Sequence, residues 1–182
     1  GYFYQAKYYE KTGAYNQSNT LYNSALTLFT ALNDSAQVSR CYYRLGFNHF
    51  RLAAYDIGLD YYFKSLKLDE ENNYKPGIAL TLERIGKLYL NTGDFYKARE
   101  NFERALSIFI ELKDDYSILM NELCIGVTYQ KEAMKYQKEE LFLKGIELYE
   151  LALLKSLKID LTLSASLLQN IGSSYRFLKQ FD

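Results

Sequence analysis

An apolar residue followed by glycine returns along this chain at Leu45-Gly46, Ile85-Gly86, Ile125-Gly126 and Ile171-Gly172. The glycines stand 40, 40 and 46 residues apart, and Ala6 takes the same place 40 residues before Gly46. A fixed period of this size marks a repeat architecture, in which each unit buries its apolar face by stacking on neighbours. Other positions keep the same register. A ring follows each small residue by three, at Tyr9, His49, Tyr89, Tyr129 and Tyr175. A turn position (Gly13, Ala53, Gly93) comes next, then a second ring (Tyr15, Tyr55, Phe95). A small residue (Ser18, Gly58, Ala98, Gly145), an aromatic (Tyr22, Tyr62, Phe102, Tyr149) and a small-then-Leu pair such as Ala105-Leu106 close the unit.

These spacings are helical. Gly86 and Tyr89 share one stripe of a helix, and Ala98, Phe102 and Ala105 share another. Small residues let two helices approach, and the rings fill the space beside them. Gly93-Asp94 ends one helix and starts the next, while Asn33/Asp34/Ser35, Asp114/Asp115 and Asp160 supply further N-caps. The single proline of the chain, Pro76, falls in the first turn of a helix, where its missing N–H costs nothing. No segment alternates with period two, which sets strands aside.

The copy Ile85-Gly86-x2-Tyr89-x3-Gly93-x-Phe95-x2-Ala98-x3-Phe102-x2-Ala105-Leu106 resembles the tetratricopeptide repeat, and the likeness covers essentially the whole chain. The family unit is about 34 residues; the longer spacing here adds turns to each helix pair, as in the arrays of bacterial signalling and regulatory proteins. The resemblance implies an all-α fold: a right-handed α-α superhelix, the TPR solenoid, of antiparallel helix pairs with about nine helices. It implies one array over 1–182, with units at 1–33, 34–73, 74–113, 114–159 and a partial unit at 160–182. Gly126 to Gly145 is 19 residues where Gly46 to Gly58 is 12, so the fourth unit carries a seven-residue insertion near 131–140. Seven residues are close to two helical turns, and a longer helix pair is expected. A start at Gly1, and units cut mid-pattern at both ends, lead to the expectation of a piece of a larger protein.

By the same resemblance, one stripe of each first helix faces the inside of the superhelix. Its 24 positions carry seven basic residues (Lys7, Lys11, Arg40, Arg51, Lys87, Lys131, Arg176) and two acidic ones (Glu10, Glu83). The whole chain balances 22 basic against 22 acidic residues, so the neutral total conceals a basic inner face. The expected peptide-binding groove comprises Arg40, Tyr43, Phe47, Phe50, Arg51, Glu83, Lys87, Lys131 and Arg176. Its rings would anchor apolar side chains and its arginines would fork onto an acidic or carboxylate-bearing segment. An equal reading has the rings packing against adjacent helices and the charges solvated. The paired Lys/Arg and Asn clamp of chaperone-binding members does not carry over. Its places in the first three copies hold Phe3, Lys7, Arg44, Leu80 and Arg84, and only Arg84 agrees.

Other chemistry finds little footing. One histidine, His49, cannot build a HExxH site and reads as a packing residue. Cys41 and Cys124 sit beside core positions, too far apart in sequence for a metal-ligand spacing, and read as buried and inert. Carboxylates such as Asp69-Glu70-Glu71 and Glu139-Glu140 read as solvated charge at helix ends. Phosphate-loop and nucleophile-elbow motifs are missing, no cofactor or metal is implied, and no apolar run approaches the ~20 residues of a membrane span. A neutral chain is a poor nucleic-acid reader. The expectation is a non-enzymatic protein- or peptide-binding scaffold, the sensory or interaction part of a larger signalling protein. The alternative is a structural assembly element that forms homo-oligomers through its terminal units, with Leu163–Phe177 as one contact. Eleven of the 19 tyrosines, among them Tyr2, Tyr9 and Tyr175, fall on packing columns, so most of that excess reads as architectural.

Overall fold

The computed structural model describes residues 1–157 and 161–179. Among them the regular structure is α-helical: α1 Tyr2–Lys11, α2 Tyr15–Ala31, α3 Ser35–Arg51, α4 Tyr55–Glu71, α5 Lys75–Thr92, α6 Phe95–Leu112, α7 Asp115–Tyr136, α8 Glu139–Ser156 and α9 Leu161–Leu178. Asp160 and the segment Phe181-Asp182 lie outside the described residues.

Local chemistry explains the helix ends. The carboxylates of Asp34, Asp94 and Asp114 accept from the backbone N–H three residues on, at 3.1, 3.2 and 3.1 Å. Each satisfies a donor that the first turn leaves unpaired. Turns inside a pair use a left-handed residue: Gly13 at φ 79°, Gly93 at φ 82°, and Ala53 at φ 57°. Glycine tolerates that region and alanine does not without cost. Turns between pairs use Asn33, Asn73 and Lys113 in the same conformation.

The chain divides into two compact units, Gly1–Leu88 and Tyr89–Asp182. In the first, Phe3, Ala6, Tyr22, Ala25, Cys41 and Leu45 form one core cluster. The small repeat residues do what their spacing foretells. A Cβ placed on Gly46 would lie 2.7 Å from the Tyr62 ring, and one on Gly58 would lie 3.2 Å from the Gly46 carbonyl oxygen. A buried polar thread ties α1, α2 and α3: Asn48 donates to Ser18 Oγ at 2.8 Å, and Ser18 donates to the Ala6 carbonyl at 2.9 Å. Tyr2 and Tyr9, expected on packed columns, are instead exposed. They lie on α1, which packs against α2, and that contact buries Phe3 and Ala6 in their place.

In the second unit Leu90, Phe95, Ala98, Phe102, Cys124 and Ile125 form one cluster, and Leu119, Tyr149, Ala152 and Leu167 another. Burying a ring such as Phe102 is worth roughly 2–3 kcal/mol. The additional residues between Gly126 and Gly145 are mostly helical. Ten residues of α7 follow Gly126, against five of α3 after Gly46. α8 opens six residues before Gly145, against three for α4 before Gly58. The extension closes at Gln137, φ 53°, and carries its own cluster of Ala133, Leu141 and Phe142. Phe142 stacks on Phe177 of α9 at 5.7 Å. Tyr175 is exposed, its hydroxyl 3.4 Å from Glu150.

Candidate functional site

In the unit Gly1–Leu88, the α3 side chains Tyr43 and Phe47 are half-buried and meet a cation from α5. Arg84 donates Nε–H to the Tyr43 hydroxyl at 2.9 Å, and its guanidinium lies 5.7 Å from the centre of the Phe47 ring. Arg44 ion-pairs with Glu10 at 2.9 Å and sits 5.8 Å from the Tyr43 ring. The Tyr22 hydroxyl donates to the other Glu10 oxygen at 2.8 Å, and burial with the neighbouring carboxylate pushes that phenol well above its usual range. Glu83, 8% exposed, pairs with Lys87 one turn along α5. The result is an aromatic floor, Tyr43 and Phe47, bracketed by two arginines. Guanidinium faces stack on rings more readily than ammonium does, because they are planar and weakly hydrated.

The arginines on this floor are Arg44 and Arg84. Arg40 is exposed, hydrogen-bonded to Gln37 and 5.3 Å from the Phe3 ring. Arg51 is exposed and 5.5 Å from the Tyr15 ring. Phe50 is half-buried against Tyr55, with centroids 5.9 Å apart. In the other unit Lys131 and Arg176 are exposed, and Arg176 donates to Ser173 Oγ at 3.3 Å. Gln130 links two helices there, accepting from Tyr149 and donating to Ser174. The helical offset of Arg44 from Phe47, and of Arg84 from Glu83, was the available signal for the two missed arginines. Assigning one stripe of each first helix to the inner face leaves out the neighbour 100° round the helix.

His49 is half-buried, stacked on Tyr61 at 5.4 Å and 3.4 Å from Asn19 Nδ2. Burial lowers its pKa, so the ring packs as neutral imidazole. Cys41 is fully buried, and burial pushes its thiol up to about 12, which suppresses the thiolate that reactivity needs. Among the described residues no cluster of three or more His, Cys, Asp or Glu could hold a metal, and no helix is long and apolar enough to cross a membrane. Glu70, Glu71, Glu139 and Glu140 are exposed, but Asp69 is not. Only 6% exposed, it contradicts the expectation of solvated charge because its α4 face turns inward to Ser39 of α3, whose hydroxyl donates to it.

Residues 39–111 match the family model described as tetratricopeptide repeat. The matched stretch is of tetratricopeptide repeat type. Members of such arrays are typically non-catalytic scaffolds for protein interaction, and the helix pairs here carry that architecture from end to end of the described residues. The chain is 29% identical over a 99-residue stretch to the uncharacterized protein ycf37 of Guillardia theta. The match covers 54% of this chain and 52% of that relative, so the chain spans about half of it. BtubC (BKLC) from P. vanneervenii shares the fold at a TM-score of 0.81 and 18% identity, over 97% of this chain and 71% of that one. A putative kinesin light chain of Podosopora anserina with nearly identical TPR-like repeats does so at 0.79 and 12%, over 98% and 85%. The apo form of RapI follows at 0.70 and 20%, over 98% and 68%. At these identities the likeness is one of fold, an α-solenoid of tetratricopeptide type.

Proposed function

We propose that this array is a non-enzymatic peptide-binding scaffold whose anchoring face in Gly1–Leu88 is the Tyr43–Phe47–Arg44–Arg84 cluster, taking an acidic or carboxylate-bearing segment of a partner protein. One observation carries the reading. Glu10 matches Arg44 and Glu83 matches Lys87, whereas among the described residues Arg84 makes no ion pair of its own: a hydroxyl and a ring hold it, and Glu83 acts on it only through space. A half-buried guanidinium oriented by neutral groups keeps donors for an incoming carboxylate, and the rings beside it supply apolar anchorage. Arg40, Arg51, Lys131 and Arg176 stay exposed and act in steering. The role fits the interaction part of a larger signalling or regulatory protein.

The test is titration of a fluorescent peptide rich in Asp, Glu and Leu against the folded chain. Arg84→Glu should weaken binding by about 2 kcal/mol or more and Phe47→Ala by about 1–2 kcal/mol, as for central interface anchors. Arg51→Glu should act mainly on the association rate and its salt dependence. Unchanged affinity in Arg84→Glu, with helicity retained, would sink the groove reading. A second reading has its own observation: Leu151, Leu154, Leu157 and Leu168 are all more than half exposed in α8, its C-cap and α9. Such a surface suits self-assembly. Light scattering at high concentration decides it, since a strict monomer would remove it.

A further inference from the structure

The residues that end α4 and begin α5 enclose a cavity of about 170 Å³ against α3, lined by Ser39, Tyr43, Ser65, Asp69, Gly77, Leu80 and Thr81 among others. The repeat explains why it exists. Asp69 stands where the flanking copies have Phe29, packed on the first core cluster, and Phe109, 2% exposed. A ring fills the equivalent space there; here a shorter polar side chain leaves it open. Gly77 completes the opening, because a Cβ at that position would lie 2.4 Å from Asp69 Oδ2.

The polar groups around it are incompletely paired. Ser39 Oγ donates to Asp69 Oδ1 at 2.7 Å, which leaves Ser65 Oγ, 3.0 Å away, to donate to Ser39. Asp69 Oδ2 accepts from no group among the described residues. Thr81 is 1% exposed, lines the cavity, and its Oγ1 has no hydrogen-bond partner among the described residues. A buried polar group without a partner costs on the order of 1–3 kcal/mol, so Thr81 Oγ1 calls for a donor in this cavity, and Asp69 Oδ2 stands beside it with acceptor capacity to spare. The walls beside them are apolar: Tyr43, Tyr74 and Leu80. Tyr74 and Leu80 are exposed and stand at the mouth. Of the two basic lining residues, Arg44 is neutralised by Glu10 and Arg40 leans over the Phe3 ring, so the charge turned inward is that of Asp69.

We propose that this cavity is a socket for a primary alkylammonium, the side chain of a lysine on a partner protein, with its methylenes against Tyr43, Tyr74 and Leu80 and its N–H donors on Asp69 Oδ2 and Thr81 Oγ1. An ammonium has three donors and no acceptor, which matches a carboxylate oxygen and a hydroxyl oxygen that both lack a donor. A buried carboxylate gains most from a cation that arrives desolvated. The alternative occupant is water, for which the volume has room for about five molecules.

The experiment is amide NMR of the full chain titrated with n-butylammonium chloride, with 1-butanol and sodium butyrate as controls. Saturable shifts at Ser39, Gly77 and Thr81 are expected with the amine alone, weakened about tenfold or more in Asp69→Asn, as for loss of a charge-assisted hydrogen bond. Thr81→Val should weaken them less. Asp69→Phe, which restores the residue of the flanking copies, should abolish them. An absence of saturable shifts, an equal response to 1-butanol, or an unchanged response in Asp69→Asn overturns the socket. If Asp69→Asn does not fold, Thr81→Val and 1-butanol decide. The small amine reports on this cavity alone, so failure of the acidic-peptide titration leaves its outcome standing.

Discussion

The pairs α3–α4 and α7–α8 cross at the same contacts although 12 residues separate the crossing glycines in one and 19 in the other. A Cβ on Gly46 would meet Tyr62 at 2.7 Å, and one on Gly126 would meet Tyr149 at 2.6 Å. On the opposing helix, Gly58 faces the Gly46 carbonyl at 3.2 Å and Gly145 faces the Gly126 carbonyl at 3.3 Å. The crossing is therefore set by glycine against ring and glycine against backbone. The connection has no say in it, and the seven additional residues lengthen both helices beyond the crossing, where they bury Phe142 and Leu141. Among the described residues nothing lies within 4 Å of a Cβ on Gly172 of α9.

The largest effects should come from breaking this contact. Gly46→Ala and Gly126→Ala each force a buried ring to shift and should cost about 1–3 kcal/mol in urea denaturation. Equal stability of Gly46→Ala and wild type would show that the ring contact does not set the crossing.

Next come the rings themselves. Tyr22→Phe and Tyr149→Phe lose hydrogen bonds to Glu10 and Gln130 and should cost about 1–2 kcal/mol. Tyr62 is fully buried with its hydroxyl unpartnered among the described residues, because Phe50 occupies the place that Glu10 and Gln130 hold in those copies. Tyr62→Phe should leave thermal stability unchanged or raise it. A loss comparable to that of Tyr22→Phe would mean that the Tyr62 hydroxyl has a partner in solution.

Asp69 separates the second copy from its neighbours by pH. Burial raises its carboxyl above the usual 3.8, against the opposing pull of the Ser39 hydrogen bond. The folded state therefore binds the proton more tightly than the unfolded state. The resulting stabilisation is fully present below the usual carboxylate value and is lost as pH rises through the raised one. Chemical denaturation of wild type against Asp69→Asn should show wild type gaining relative stability as the pH falls through that window. A difference that does not change with pH would place the carboxylate in water.

The smallest effects are expected gains. Gly172→Ala adds helix propensity without a clash and should stabilise by up to about 1 kcal/mol. Ala53→Gly relieves a left-handed alanine and should gain about 0.5–1 kcal/mol, the strain removed less the entropy added to the unfolded chain. A destabilised Gly172→Ala would reveal a neighbour on that face of α9.

Much of this was legible in the residues. The apolar-glycine period located the helices, because a packing contact that recurs at fixed spacing leaves the same small and large residues each time. Asp34, Asp94 and Asp114 announced helix starts, since capping needs only the residue and the N–H three positions on. The burial of Cys41 followed from its place beside Leu45. The candidate site was less legible. Arg84 was visible as the one residue that agrees with the clamp pattern, but its seat on Phe47 and Tyr43 depends on how α5 lies across α3. Asp69 was misread because Glu70 and Glu71 beside it are exposed, although alignment with Phe29 and Phe109 placed it on the buried stripe.

The sequence by itself determined the repeat, the helix pairing and the residues of closest approach, all of them consequences of local propensity and a recurring contact. Only the tertiary structure decided which cations are neutralised within the chain. Charge pairing is made between helices tens of residues apart, as Glu10 with Arg44, and linear spacing does not encode it. The polar cavity beside Asp69 was decided the same way, by three helix segments that meet where the flanking copies place a ring.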